Sequence, residues 1–148
     1  MQHYPNVRVE WIGDVMTNEM TAEEVVATMH IGELADRSQM SLRTIRHYDE
    51  VGLLKPSGRT EGGFRLYTER DFTRLLLIRR MKPLGFTLEA MSGLLKVIDA
   101  LETARRDQDV TEIRSELNGF IEEAARRRAK LEEQLGMADE FLALLRAR

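Results

Sequence analysis

The 148-residue chain contains no cysteine. That single absence excludes disulfides, thiolate metal sites, iron–sulfur clusters and cysteine nucleophiles. Long apolar runs are missing as well. "LLLI" at 75–78 is typical of the longest, far short of the roughly 18 residues a membrane helix needs. The first residues carry acids and no apolar core of a secretory signal, so a cytoplasmic location is the default expectation. The three histidines, at positions 3, 30 and 47, are too scattered to form a metal set. No phosphate loop, nucleophile elbow or metal-ligand spacing occurs, which argues against an enzyme and against any cofactor.

What the chain does have is charge, and the charge is uneven. Of all residues 32% are charged and 43% hydrophobic, and the formal net charge is −3. Residues 1–29 balance at −4, residues 30–85 at +4 and residues 86–148 at −3. A basic middle between acidic flanks marks a local surface for polyanions.

The chain divides into four stretches: an extension over 1–29, a compact unit over 30–98, a linker over 99–109 and a long helix over 110–148. In the extension, "TAEEVVATM" pairs Thr21 with Glu24 as a capping box and predicts one or two helical turns. Ile31, Leu34 and Ala35 share one face of a short helix over about 31–37, which "SQMS" breaks. Ser41 then caps a second helix over about 42–51, and Gly52 fits the position just past its end. Two short helices across such a turn form a helix-turn-helix.

"KPSGRTEGGFRLY" reads as a two-stranded hairpin turning at Gly62–Gly63. Thr68 and Asp71 cap the next helix, which Pro83 ends near Met81 or Lys82. A further helix starts at Thr87. Asp109 and Glu112 form another capping box and open the last helix, over about 110–146. Its apolar stripe holds Ile113, Leu117, Phe120, Ala124, Leu131, Leu135, Ala138, Phe141 and Leu145, with Arg127 and Gln134 as interruptions. The earlier helices are too short to cover this stripe, so a homodimer is expected. Glu122–Arg126, Glu123–Arg127 and Arg128–Glu132 are spaced as i,i+4 pairs, which makes "RRR" a solvated face.

A helix-turn-helix places its second helix in the major groove of DNA, and here that helix offers Ser41, Arg43, Thr44, Arg46 and His47. Arg43 and Arg46, three apart, share a face with His47 beside them. The hairpin that follows carries Arg59, Arg65 and Tyr67, as a wing that reaches flanking phosphates would. Phe64 fits packing of the hairpin onto the domain, and Tyr67 fits either that packing or a wing contact.

Together "IGELA" (31–35), "SLRTIRHYDEVGLLKP" (41–56), "RTEGGFRLYTERD" (59–71) and "LLLIRRMKPLGFTLEAM" (75–91) resemble the DNA-binding domain of MerR-type transcription regulators. The resemblance covers about residues 30–98, and the terminal helix is similar to the family's dimerisation helix. It implies a mainly α fold: a winged helix-turn-helix with a two-stranded wing, then a long antiparallel coiled coil joining two subunits. It implies double-stranded DNA as partner, at a pseudo-palindromic promoter site with an over-long spacer. Activating members bend and untwist that site for RNA polymerase. Carried over, helix contacts fall on Arg43, Thr44, Arg46, His47 and Tyr48, and wing contacts on Arg59, Arg65 and Tyr67. His47 replaces the commoner tyrosine, and Pro83 also departs from the family pattern.

Family members that sense metals or redox state use cysteines, which this chain lacks, and drug sensors append a ligand domain, whereas the sequence stops at Arg148. Control by protein level, by a partner, or by an apolar ligand between Met91, Leu95, Ile98, Val110 and Ile113 is what remains. The competing readings are a repressor or DNA-architectural protein of the same fold without an effector, and a structural coiled-coil protein. The latter explains residues 110–146 but not the wing.

Overall fold

The computed structural model describes residues 26–148. The capping box expected at Thr21 and Glu24 lies outside them. Chain order is β1 (Thr28–His30), α1 (Ile31–Ser38), α2 (Leu42–Glu50), β2 (Gly58–Arg59), β3 (Arg65–Thr68), α3 (Glu69–Met81), a 3-10 turn (Lys82–Leu84), α4 (Leu88–Glu102) and α5 (Thr111–Arg146).

The helix starts follow local side-chain chemistry. Ser41 Oγ accepts from the Thr44 amide at the start of α2. Thr68 and Asp71 form a reciprocal capping box at the start of α3, and Thr87 caps α4 through the Ala90 amide. Between α1 and α2 the chain turns at Gln39, in the left-handed region at φ 54°. Gln39 is held there from the side by Arg79 Nη2, which donates to its Oε1 at 3.2 Å.

One strand was not foreseen. β1 pairs antiparallel with β3, Met29 opposite Tyr67, so the sheet order is β1-β3-β2 and the wing hairpin belongs to a three-stranded sheet. Three residues are too few for a visible alternation, and strand formation here depends on the partner strand. The compact unit therefore reaches back to Thr28 rather than starting at position 30. Met29 joins a core of Leu34, Ile45, Tyr48, Leu54, Tyr67, Leu75, Ile78, Met81, Phe86, Met91 and Leu95. Met91 and Leu95, read above as part of a junction for a ligand, are thus core residues.

α5 departs from expectation at both its start and its middle. Asp109 does not form a capping box. Its carboxylate accepts from the amide and hydroxyl of Thr111, two residues on, and Val110 occupies the cap position without a side-chain bond. The proximal part of α5 packs on α4 and on the 3-10 turn. Phe120 lies against Gly93, where an added Cβ would sit 3.4 Å from its ring, and Ala124 packs on the core. Arg127 forms the expected pair with Glu123 at 2.8 Å, yet it is half-buried rather than solvated: its guanidinium stacks on Phe86 at 4.3 Å and donates to the Leu84 carbonyl at 3.0 Å. Arg126 pairs with Glu123, not with Glu122. Ile113, Leu117, Phe120 and Ala124 are half-buried within the chain itself, whereas Leu131, Leu135, Ala138, Phe141 and Leu145 are exposed. α4 at 15 residues spans about 22 Å and α5 at 36 residues about 54 Å, so α4 covers only the proximal part. No helix among the described residues is long and apolar enough to cross a membrane.

Candidate nucleic-acid interface

α2 is amphipathic at a length of nine residues. Ile45 and Tyr48 are buried beneath it, and Ser41, Arg43, Arg46 and His47 are exposed above, with Thr44 half-buried. Among the described residues no carboxylate lies within ion-pair distance of Arg43, Arg46 or His47. An exposed helix face with uncompensated cations is what a polyanion requires. Ser41 is only in part available, since its hydroxyl accepts the Thr44 amide and lies 2.8 Å from Thr44 Oγ1.

The wing stands beside this face. Residues 60–64 turn between β2 and β3, with Gly63 at φ 81° and the Phe64 amide bonded to Thr60 Oγ1. Phe64 is 68% exposed at the tip, so its expected packing role does not occur within the chain. Arg59 and Arg65 face each other across the β2–β3 ladder. Both reach the same oxygen, Oδ2 of Asp49 in α2: Arg65 through Nε at 2.7 Å and Arg59 through Nη2 at 3.2 Å. The hydrogen bond to Asp49 raises the Arg65 pKa above its ordinary value.

Two candidates drop out on burial. Tyr48 and Tyr67 are core residues, and burial pushes both phenols above the usual tyrosine pKa. Tyr48 lies beneath α2 with Ile45, and Tyr67 is fully buried on β3 opposite Met29 of β1. Among the described residues the Tyr67 hydroxyl has no hydrogen-bond partner. The expected DNA contacts of Tyr48 and Tyr67 are therefore corrected to packing.

One residue was missed. Lys82 lines a cleft with Arg43, Thr44, His47, Phe86, Leu88 and Met91, and no carboxylate among the described residues pairs with it. The signal in the sequence is a lysine directly before Pro83, where a helix has to stop. The 3-10 turn then holds that lysine next to the N-terminal half of α2. Of the expected dimer-stripe residues, Phe120 and Ala124 pack within the chain and Leu131 to Leu145 stand far along α5, and none lines this cleft.

Comparison with known proteins gives a consistent family. Residues 29–97 match the model of the MerR HTH family regulatory protein. The mercuric resistance operon regulatory protein of Bacillus cereus is 46% identical over 77 residues, which cover 52% of this chain and 58% of that protein. The HTH-type transcriptional regulator PA4778 of Pseudomonas aeruginosa is 36% identical over 107 residues, 71% of this chain and 81% of its own. The chain thus spans about half the length of the first curated relatives and most of the latter. Among solved structures, HiNmlR, a MerR family regulator lacking the sensor domain and bound to promoter DNA, superposes with a TM-score of 0.61. It is 25% identical, with 79% of this chain and 89% of that chain covered.

Proposed function

The chain belongs to the MerR family of helix-turn-helix regulators, and from that premise we propose that it is a sequence-specific, DNA-binding transcription regulator, not an enzyme. It acts as a homodimer on a pseudo-palindromic promoter site. The observation that carries this reading is the exposed face of α2, where Arg43, Arg46 and His47 have no carboxylate partner among the described residues and stand beside a basic wing.

Roles divide by geometry. Arg43, Arg46, His47 and Thr44 read base edges from the major groove, where arginine pairs with guanine through two hydrogen bonds. Arg59, Arg65 and Lys82 meet phosphates and set the position of the helix on the duplex. In the dimer, residues 28–98 form the reading unit and the exposed distal part of α5 forms the antiparallel coiled coil. Two reading units held at a fixed separation act on an over-long spacer by bending and untwisting it, which brings RNA polymerase its two promoter elements in register. The protein works in the cytoplasm, and DNA is its primary partner.

The test is binding to duplexes selected from a random pool, measured across salt concentrations. A selected, palindromic consensus with affinity falling steeply with salt is the expected result. Enrichment of no sequence at all would reject the regulator reading and leave a structural coiled-coil protein.

A further inference from the structure

Asp49 occupies a position that disfavours it twice. It lies in the last turn of α2, where the helix dipole makes a negative charge unfavourable. It also places a carboxylate on the helix that, on the reading above, faces a polyanion. A residue tolerated against both effects has a compensating task, and the contacts show what it touches.

Arg59 and Arg65 are direct cross-strand neighbours, and like charges so placed repel. Asp49 Oδ2 sits between them and accepts from both, with its side chain only 12% exposed. Arg59 Nη1 also donates to the Gly63 carbonyl at 3.1 Å, which fastens the wing turn to the same cluster. Arg65 binds through Nε, and its two terminal nitrogens have no other partner among the described residues.

We propose that Asp49 is a positioning residue that fixes both wing arginines against the recognition helix and aims the free end of Arg65 at the DNA backbone. It touches no DNA itself. It converts two mutually repelling, rotamer-rich side chains into one pre-set cationic group, so less ordering is left for the moment of binding. This inference rests on the DNA-binding reading.

The test turns on a sign. Asp49→Asn removes a negative charge, so charge counting alone predicts tighter binding. Positioning predicts the opposite: affinity for a mixed-sequence duplex roughly tenfold weaker, and a salt slope smaller by about 1 as a phosphate contact is lost. Asp49→Glu should restore part of both. A double-mutant cycle guards against simple loss of folding. In an Arg59→Ala/Arg65→Ala background, Asp49→Asn should weaken binding no further, and loss of its charge should if anything tighten it, whereas general destabilisation would weaken it again. Binding by Asp49→Asn as tight as wild type with an unchanged slope overturns the proposal, as does a further weakening in the double background. A wild-type chain without salt-dependent binding to the duplex would instead overturn the DNA reading beneath it.

Discussion

The Tyr67 hydroxyl is buried with no partner among the described residues, which normally costs about 1–3 kcal/mol of stability. Tyr67→Phe is therefore expected to melt at the same temperature as wild type or higher, with DNA affinity unchanged. A loss of affinity in the variant would restore Tyr67 to the interface. On α2, Arg43→Ala should cost roughly 1–3 kcal/mol on the selected site and relax the preference at one base pair. Uniform weakening across sequences would make Arg43 a phosphate contact instead. Single residues were legible in the sequence in proportion to their helical spacing. Arg43, Arg46 and His47 fall on one face by count alone. Tyr67 did not declare itself, because by period it shares a strand face with Arg65, and only contacts with sequence-distant residues bury it. Lys82 depended on the geometry of the turn before Gly85, a glycine at φ 79° whose missing Cβ leaves 3.3 Å to Arg127. No spacing rule connects position 82 with position 43.

Helix ends show where local signals suffice and where they do not. The patterns at Thr68/Asp71 and Asp109/Glu112 look equivalent in the sequence, yet only the first forms a capping box. β3 delivers Thr68 to its helix in extended geometry, at φ −101° and ψ 170°, whereas Val110 enters α5 at φ −109° and ψ 14°. Asp71 also accepts from Ser57 Oγ at 2.5 Å, so it joins the loop before β2 to the start of α3. Asp71→Ala should lower stability by about 1–2 kcal/mol in chemical denaturation, and Asp109→Ala by far less. Arg37 of α1 pairs with Glu69 of α3, and this hydrogen bond holds the Glu69 carboxyl below its ordinary pKa. A depressed folded-state value stabilises above the unfolded pKa and is lost as pH falls through the folded one. Glu69→Gln should therefore flatten the acid limb of the melting-temperature profile slightly, since the pair is partly exposed. An unchanged acid limb would show that the pair contributes nothing. The helix-turn-helix, the hairpin and the long helix were all readable from periodicity and turn residues. β1 was not, because its pairing with β3 comes from sequence-distant contacts.

For the molecule as a whole, the decisive feature is that α5 outruns its cover. Leu135 and Phe141 are 62% and 61% exposed and join no core cluster among the described residues. Leu135→Asp with Phe141→Asp should give a monomer by sedimentation that keeps its melting transition for residues 28–98 and binds DNA weakly. A double variant that stays dimeric would remove the distal helix from the interface. The sequence showed the stripe but not its division. Ile113 to Ala124 find their cover within the chain because α4 runs alongside them, and the length of α4 relative to α5 sets where that cover ends. Arg127 marks the change: it is bolted to Phe86 and Leu84. Beyond it, on the homodimer reading, order and association are linked, because most helical stability in proteins comes from packing of an apolar face. Limited trypsin digestion at low protein concentration is expected to cut at Lys130 and Arg146, and digestion at high concentration to spare them. On the same reading operator occupancy is expected to rise with roughly the square of the amount of chain, so small changes in synthesis rate would become a threshold in the output.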